Sequence, residues 1–211
     1  MCEGRNALVT SLDRQTKTAA PPKLYDLTTL QRDANRLFGY TAAKTLECAQ
    51  SLYENKLITY PRTDSRFLTS DMEETAKAMV RLIARVFAFE KVCSTEPDIG
   101  RLISNAKVSD HHAIIPTGET GTMNDYERKV YDLICRRFIS VFYPNCDYNQ
   151  TTVLANAGGV DFKATGRTII NEGWRVVYAK VQKDEEDEAQ DKDMAADPFA
   201  GRSCNWICGD R

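Results

Sequence analysis

The chain has 211 residues, 42% apolar and 27% charged, enough for one mid-sized domain or two small ones whose core needs no disulfide staples. No apolar run approaches the roughly 20 residues of a membrane span, and the start Met1-Cys2-Glu3-Gly4-Arg5 lacks a secretion signal's basic-then-apolar pattern, so a soluble, cytoplasmic protein is expected. The net charge of −2 is unevenly spread: eight acids against Lys192 leave residues 184–197 at −7 and the rest at +5, a mildly basic body that permits a polyanionic partner.

Residues 1–22 are polar and end in Ala19-Ala20-Pro21-Pro22, which favours an extended linker. Thr29 is expected to cap a short helix carrying Leu30, Ala34 and Leu37 and closed by Gly39. Thr41 is expected to cap the next, with Ala42, Leu46, Ala49, Leu52 and Tyr53 on one stripe. Two helices around Gly39-Tyr40 resemble a helix-turn-helix, although an ordinary helical hairpin is the commoner meaning of such spacing. Leu57-Ile58-Thr59-Tyr60-Pro61 is a short β-prone run broken by proline. Thr69 or Ser70 opens a helix to about Phe89, with Met72, Ala76, Met79, Val80 and Ile83 inward.

Residues 93–123 are loop-rich and hold both histidines, and Asn124 with Glu127 forms a capping pair for a helix to about Phe142. Beyond Thr151 the period becomes two. Thr151–Ala157, Val160–Ile170 and Trp174–Lys180 are predicted strands, with Gly158-Gly159 and Glu172-Gly173 at the turns. The stretch from Asp184 is too charged to pack, and disorder is expected there. The seven cysteines, an odd number, are expected to be reduced, and Cys204 with Cys208 cannot alone fill a four-ligand zinc site. The predicted class is α+β: a helical block, an antiparallel strand-rich segment and an acidic tail.

The densest group of reactive side chains is Thr59-Tyr60-Pro61-Arg62-Thr63-Asp64-Ser65. A tyrosine hydroxyl can serve as a covalent nucleophile, and a forked guanidinium matches a phosphate. In an extended segment residues 60, 62 and 64 share a face, so one phosphate can meet Tyr60 and Arg62 while Asp64 holds the arginine. By spacing alone a buried tyrosine beside a surface Arg62/Asp64 pair is the plainer alternative, because Tyr-x-Arg is common by chance. His111 and His112, with only Asp110 close, do not make a zinc site.

Three ordered runs narrow this. Pro21–Gln31 (PPKLYDLTTLQ), Ala49–Glu54 (AQSLYE) with Leu57–Ser65 (LITYPRTDS), and Asp110–Thr117 (DHHAIIPT) resemble the tyrosine-bearing region of type IA DNA topoisomerases, in wording nearest the topoisomerase III branch. The resemblance runs over about residues 19–180. It implies that Tyr60 attacks a phosphodiester in single-stranded DNA, giving a 5′-phosphotyrosyl link that reseals without a nucleotide. It also implies that Arg62 positions the tyrosine and the phosphate, and that His111 either contacts phosphate or assists proton movement. Gln50, Glu54, Thr59, Thr63, Asp64 and Ser65 match positions that line the strand or organise the site.

In that family a separate acidic domain binds Mg2+ and supplies a catalytic glutamate and lysine. No such domain is legible here; Asp191-Lys192-Asp193 sits in a solvated charge run, and no metal ligands are assigned to this chain. The expected division is a remnant of the upstream arch or a linker at 1–19, a tyrosine-bearing domain at 20–148, an arch segment at 149–181 and the tail at 182–211. Residues 198–211 do not continue the family's pattern, so a fragment is expected, with DNA and the missing metal-binding domain as partners. A non-catalytic single-strand-binding module, with Tyr60 as a stacking platform, is the alternative.

Overall fold

The computed structural model describes residues 6–86 and 99–178. The fold is α+β. In chain order the elements are β1 (Leu8–Ala19), α1 (Leu27–Phe38), α2 (Ala42–Glu54), α3 (Glu73–Val86), α4 (Asp125–Ser140), β2 (Cys146–Ala157) and β3 (Val160–Asn171). Short 3-10 turns occupy Ser70–Met72, Gly100–Leu102, Asn105–Lys107 and Gly173–Val177. Two compact units result: the sheet, from residues 6–20 and 145–178, and the helical unit Pro21–Pro144. The acidic stretch from Asp184, the Cys204/Cys208 pair and the expected helix end near Phe89 lie outside the described residues. No described helix is long and apolar enough to cross a membrane.

The sheet is antiparallel, in the order β1-β2-β3. Leu12 pairs with Val153, which pairs with Ala164. Gly158 (φ 60°) and Gly159 (φ 85°) both occupy the left-handed region, as the two-residue turn between β2 and β3 requires. The third strand is not the one expected. Trp174–Lys180 was predicted as a strand, but Gly173 (φ 51°) turns the chain and Gly173–Val177 is a 3-10 helix. Trp174 and Tyr178 then meet edge to face at helical spacing, and the Trp174 indole N–H donates to the Ala19 carbonyl at 3.1 Å. The third place is taken by β1, whose side chains are nearly all exposed. Pairing with β2 defines it, because it has no apolar alternation; Thr16 and Thr18 add hydroxyl bonds to Asn149 and Asp147 at 2.9 and 2.7 Å.

In the helical unit, Asp26 rather than Thr29 caps α1. Its carboxylate accepts from the Thr29 amide at 2.7 Å, and Thr29 returns the bond from position N3, so Thr29 is the second half of a capping box. Gly39 closes α1 in the left-handed region and Thr41 caps α2, as expected. The buried stripe of α2 is Thr45, Cys48, Ala49 and Leu52; Ala42 and Tyr53 lie outside it. The expected helix at Thr69/Ser70 begins as the 3-10 turn and becomes α3 at Glu73. Met72 and Met79 are only half-buried, while Ala76, Val80 and Ile83 are buried. The capping box of Asn124 and Glu127 forms as predicted.

Two polar ties set the helices around this core. Arg137 on α4 lies over the fully buried Tyr25 ring, 3.9 Å from guanidinium carbon to centroid, and bonds Asp33 on α1 at 2.5 Å. Tyr25 donates to the same carboxylate at 2.7 Å. On the other side, Ser51 of α2 donates to Glu127 of α4 at 2.7 Å. Cys48, Cys135 and Cys146 are free and buried, and burial pushes the Cys48 and Cys135 thiols up, keeping them protonated.

The Ser51 hydroxyl, followed by the Asn124 amide, holds the Glu127 carboxyl below the usual carboxylate range. A carboxyl with a depressed folded value stabilises the fold above its unfolded value of about 4.3 and loses that contribution as pH falls through the folded value. Ser51→Ala is therefore expected to be less stable than the parent at neutral pH, with the gap narrowing below about pH 4. Urea denaturation across pH checks this.

Candidate active site

The last turn of α2 delivers the reactive segment. Lys56 takes a left-handed φ of 62°, uncommon for a residue with a side chain, and the Leu57 amide closes back on the Leu52 carbonyl at 2.9 Å. Leu57 and Ile58 are then fully buried. The chain pairs antiparallel with the second motif: Thr117 N–H donates to Leu57 O at 3.1 Å, and Thr59 N–H donates to Ile115 O at 3.0 Å. Gly118 (φ 86°) follows at close quarters with α3; a Cβ there would stand 2.7 Å from Leu82 Cδ2 and 2.9 Å from Met79 Sδ.

Beyond Thr59 the segment is irregular yet fixed. Side chains alternate: Pro61, Thr63 and Ser65 turn inward, while Arg62, Asp64 and Arg66 are exposed and Tyr60 is half-buried. The inward hydroxyls bond backbone. Thr59 Oγ1 donates to Ala113 O at 3.1 Å and accepts from Ile115 N at 3.0 Å. Thr63 Oγ1 donates to His111 O at 2.8 Å, and Ser65 Oγ donates to Lys107 O at 2.8 Å. The Ala113 amide then donates to Phe67 O at 2.9 Å. Both ends of the segment 59–67 are thus tied to one residue, Ala113.

Tyr60 sits between two rings. Tyr53, on α2, is edge-on at 5.3 Å, and the His111 imidazole lies 4.3 Å away, tilted by 46°. Among the described residues the Tyr60 hydroxyl and the His111 ring nitrogens have no protein hydrogen-bond partner. Arg62 Nη2 donates to Gln50 Oε1 at 3.0 Å. Asp64 does not hold Arg62, contrary to expectation. Residues two apart on an extended chain stand about 6.6 Å apart, whereas Gln50 faces Arg62 from α2. Asp64 and Glu54 are exposed and form no ion pair among the described residues. Arg66 pairs with the Asp26 carboxylate at 3.0 Å.

The structure thus sets Tyr60 against His111 and Arg62 against Gln50. It turns Thr59, Thr63 and Ser65 to backbone and leaves Asp64 and Glu54 in solvent. His112 is kept apart by a 2.8 Å contact from Nδ1 to the Ala113 carbonyl. Tyr53, expected like Ala42 on the buried stripe, is instead 42% exposed and packs edge-on against Tyr60. Its position at the helix end, one turn after Ala49 and beside Glu54, was the available signal. A phenol with an open hydroxyl, two residues from a guanidinium that faces a neutral amide, supplies the groups needed to receive a phosphate and attack it.

Residues 1–198 match the family profile described as DNA topoisomerase. The chain is 44% identical over 201 residues to DNA topoisomerase 3 of Bacillus subtilis, covering 91% of this chain and 27% of that protein. It is 43% identical over 192 residues to DNA topoisomerase 3 of Shouchella clausii, covering 86% and 26%. Among solved structures, full-length topoisomerase I from Thermotoga maritima superposes with a TM-score of 0.61 at 25% identity, over 94% of this chain and 32% of that one. The chain spans about a quarter of the curated relatives it matches.

Replacing the Thr59 hydroxyl by a methyl leaves the buried Ile115 amide without its acceptor and leaves the Ala113 carbonyl with only the His112 ring nitrogen against it. Thr59→Val is expected to lose about 1–3 kcal/mol of stability, and Thr59→Ser clearly less. Equilibrium denaturation of the two variants measures this.

Proposed function

The chain belongs to the type IA DNA topoisomerase family, on its topoisomerase III-like side, and from that premise we propose that it carries the strand-cleaving tyrosine, Tyr60. The substrate is a phosphodiester in single-stranded DNA. The Tyr60 oxygen bonds to phosphorus and the bond from phosphorus to the 3′ oxygen breaks. The phenol proton leaves, and the 3′ oxygen takes up a proton. One ester replaces another, so the reverse step reseals the strand without a nucleotide, and passage through the gap changes DNA topology.

The observation that carries this reading is the Tyr60 hydroxyl itself: half-buried, braced by the Tyr53 and His111 rings, and bonded to nothing among the described residues. Arg62, on the same outward face, meets the phosphoryl oxygens. Gln50 orients it without neutralising it, which leaves the full charge for the phosphate. The His111 ring is free to bond the phosphate or to relay the proton. Thr59, Thr63 and Ser65 hold the segment rigid, and Glu54 and Asp64 face the strand from solvent.

Mg2+ belongs, on this reading, to another domain of the whole protein. The described residues contain no group of three or more His, Cys, Asp or Glu placed to hold a metal ion.

The test combines the chain with a relative's metal-binding domain and a labelled single-stranded oligonucleotide, followed by denaturing trapping and mass spectrometry. An adduct on Tyr60 is expected. Tyr60→Phe should abolish it while changing oligonucleotide affinity less than about twofold, because a lone uncharged hydroxyl contributes little to polyanion binding. Binding by the parent with no adduct at Tyr60 would overturn the cleavage assignment.

A further inference from the structure

Lys23 and Lys107, 84 positions apart in sequence, converge on one side chain outside the site described above. Their ammonium nitrogens lie 4.9 and 4.6 Å from the centroid of the Phe67 ring. The two charges are therefore less than about 10 Å apart, within one screening length at 0.1 M salt. Both lysines are exposed, and neither forms an ion pair among the described residues. The nearby acids are otherwise disposed: Asp26 is paired with Arg66 and caps α1, and Asp64 lies in solvent on the intervening segment.

The arrangement is anchored at every corner. Arg137 donates to the Lys23 carbonyl at 3.1 Å, Ser65 donates to the Lys107 carbonyl, and the Phe67 carbonyl accepts from Ala113. Two like charges held against one aromatic ring, neither of them ion-paired among the described residues, form a seat for an anion. Its position names the anion. Because Thr59 and Phe67 are both bonded to Ala113, the segment doubles back, and Phe67, which carries the lysine pair, returns to the residue that holds Thr59, the neighbour of Tyr60.

We propose that Lys23 and Lys107, braced by Phe67, together bind one backbone phosphate of the DNA strand, a neighbour along the strand of the phosphate attacked by Tyr60. This rests on the function proposed above. The pair adds affinity and register without reading sequence, since a phosphate contact carries no base information.

The test measures binding of the full chain to a fluorescent single-stranded oligonucleotide over a range of salt. Each phosphate contact on a single strand contributes about 0.7 to the slope of log K against log salt. For Lys23→Gln/Lys107→Gln the slope should fall by about 0.7, one shared phosphate, and Lys23→Arg/Lys107→Arg should restore it. An unchanged slope overturns the proposal, and a fall of about 1.4 overturns the sharing of one phosphate. Inorganic phosphate exchanged for chloride at constant ionic strength should leave the parent's affinity unchanged. Competition that vanishes in the double variant would mark a free-anion site instead and overturn the DNA assignment. Failure of the parent to bind any oligonucleotide would sink the proposed function itself, whereas binding with an unaltered slope sinks only the lysine pair.

Discussion

Ala113 is the residue on which the site hangs. It is completely buried, and its two backbone groups hold the two ends of the Tyr60 segment: the carbonyl takes the Thr59 hydroxyl and the amide serves the Phe67 carbonyl. A hydrogen bond of this kind is worth only about 1 kcal/mol net, but leaving its buried partner unmatched costs more, about 1–3 kcal/mol. That asymmetry lets a few bonds fix seven intervening residues without a helix or a sheet. Remove the clamp and Tyr60, Arg62 and the Phe67 corner would no longer share one frame.

The arginines of the helical unit divide according to what faces them. Arg137 meets the Asp33 carboxylate and the Tyr25 ring and is itself mostly covered, with 12% of its side chain exposed. Arg66 meets the Asp26 carboxylate, which also caps α1. Among the described residues Arg62 meets the amide oxygen of Gln50 and no carboxylate. A carboxylate partner cancels a guanidinium's long-range attraction for an anion, whereas an amide fixes its direction and leaves the charge. The first two pairs are architecture. The third fixes the guanidinium's direction and leaves its charge uncancelled.

Local signals carried much of the fold. The caps at Thr41 and Asn124, the closing Gly39 and the Gly158-Gly159 turn are each decided within four or five residues, and the sequence contains them entire. What was not legible depends on remote partners. β1 has no apolar alternation, so nothing in its own residues distinguishes it from a linker; β2 makes it a strand. Trp174–Tyr178 looked alternating, but Gly173 and the bond to Ala19 curl it. Tyr60 and Arg62 stand out in the sequence through the resemblance, since spacing alone leaves the plainer alternative ahead, while the Gln50 partner of Arg62 and the neighbouring Tyr53 ring depend on α2 being set against the segment in space.

Why the segment carries so many hydroxyls follows from the same geometry. An extended chain ordinarily satisfies its backbone through a neighbouring strand, which would cover one side of it and restrict access. Here Thr59, Thr63 and Ser65 reach inward to the carbonyls of Ala113, His111 and Lys107, so side chains replace much of the ladder. The alternation then places Tyr60, Arg62, Asp64 and Arg66 outward, clear of any strand partner. Short inward hydroxyls hold the backbone close, and long outward groups reach away from it. A helix would have placed successive members of that outward set about 200° apart, on opposite sides of its axis, and a paired strand would have closed one flank. The irregular, hydroxyl-fixed loop combines rigidity with an open face, two properties that a helix or a paired strand would not supply together.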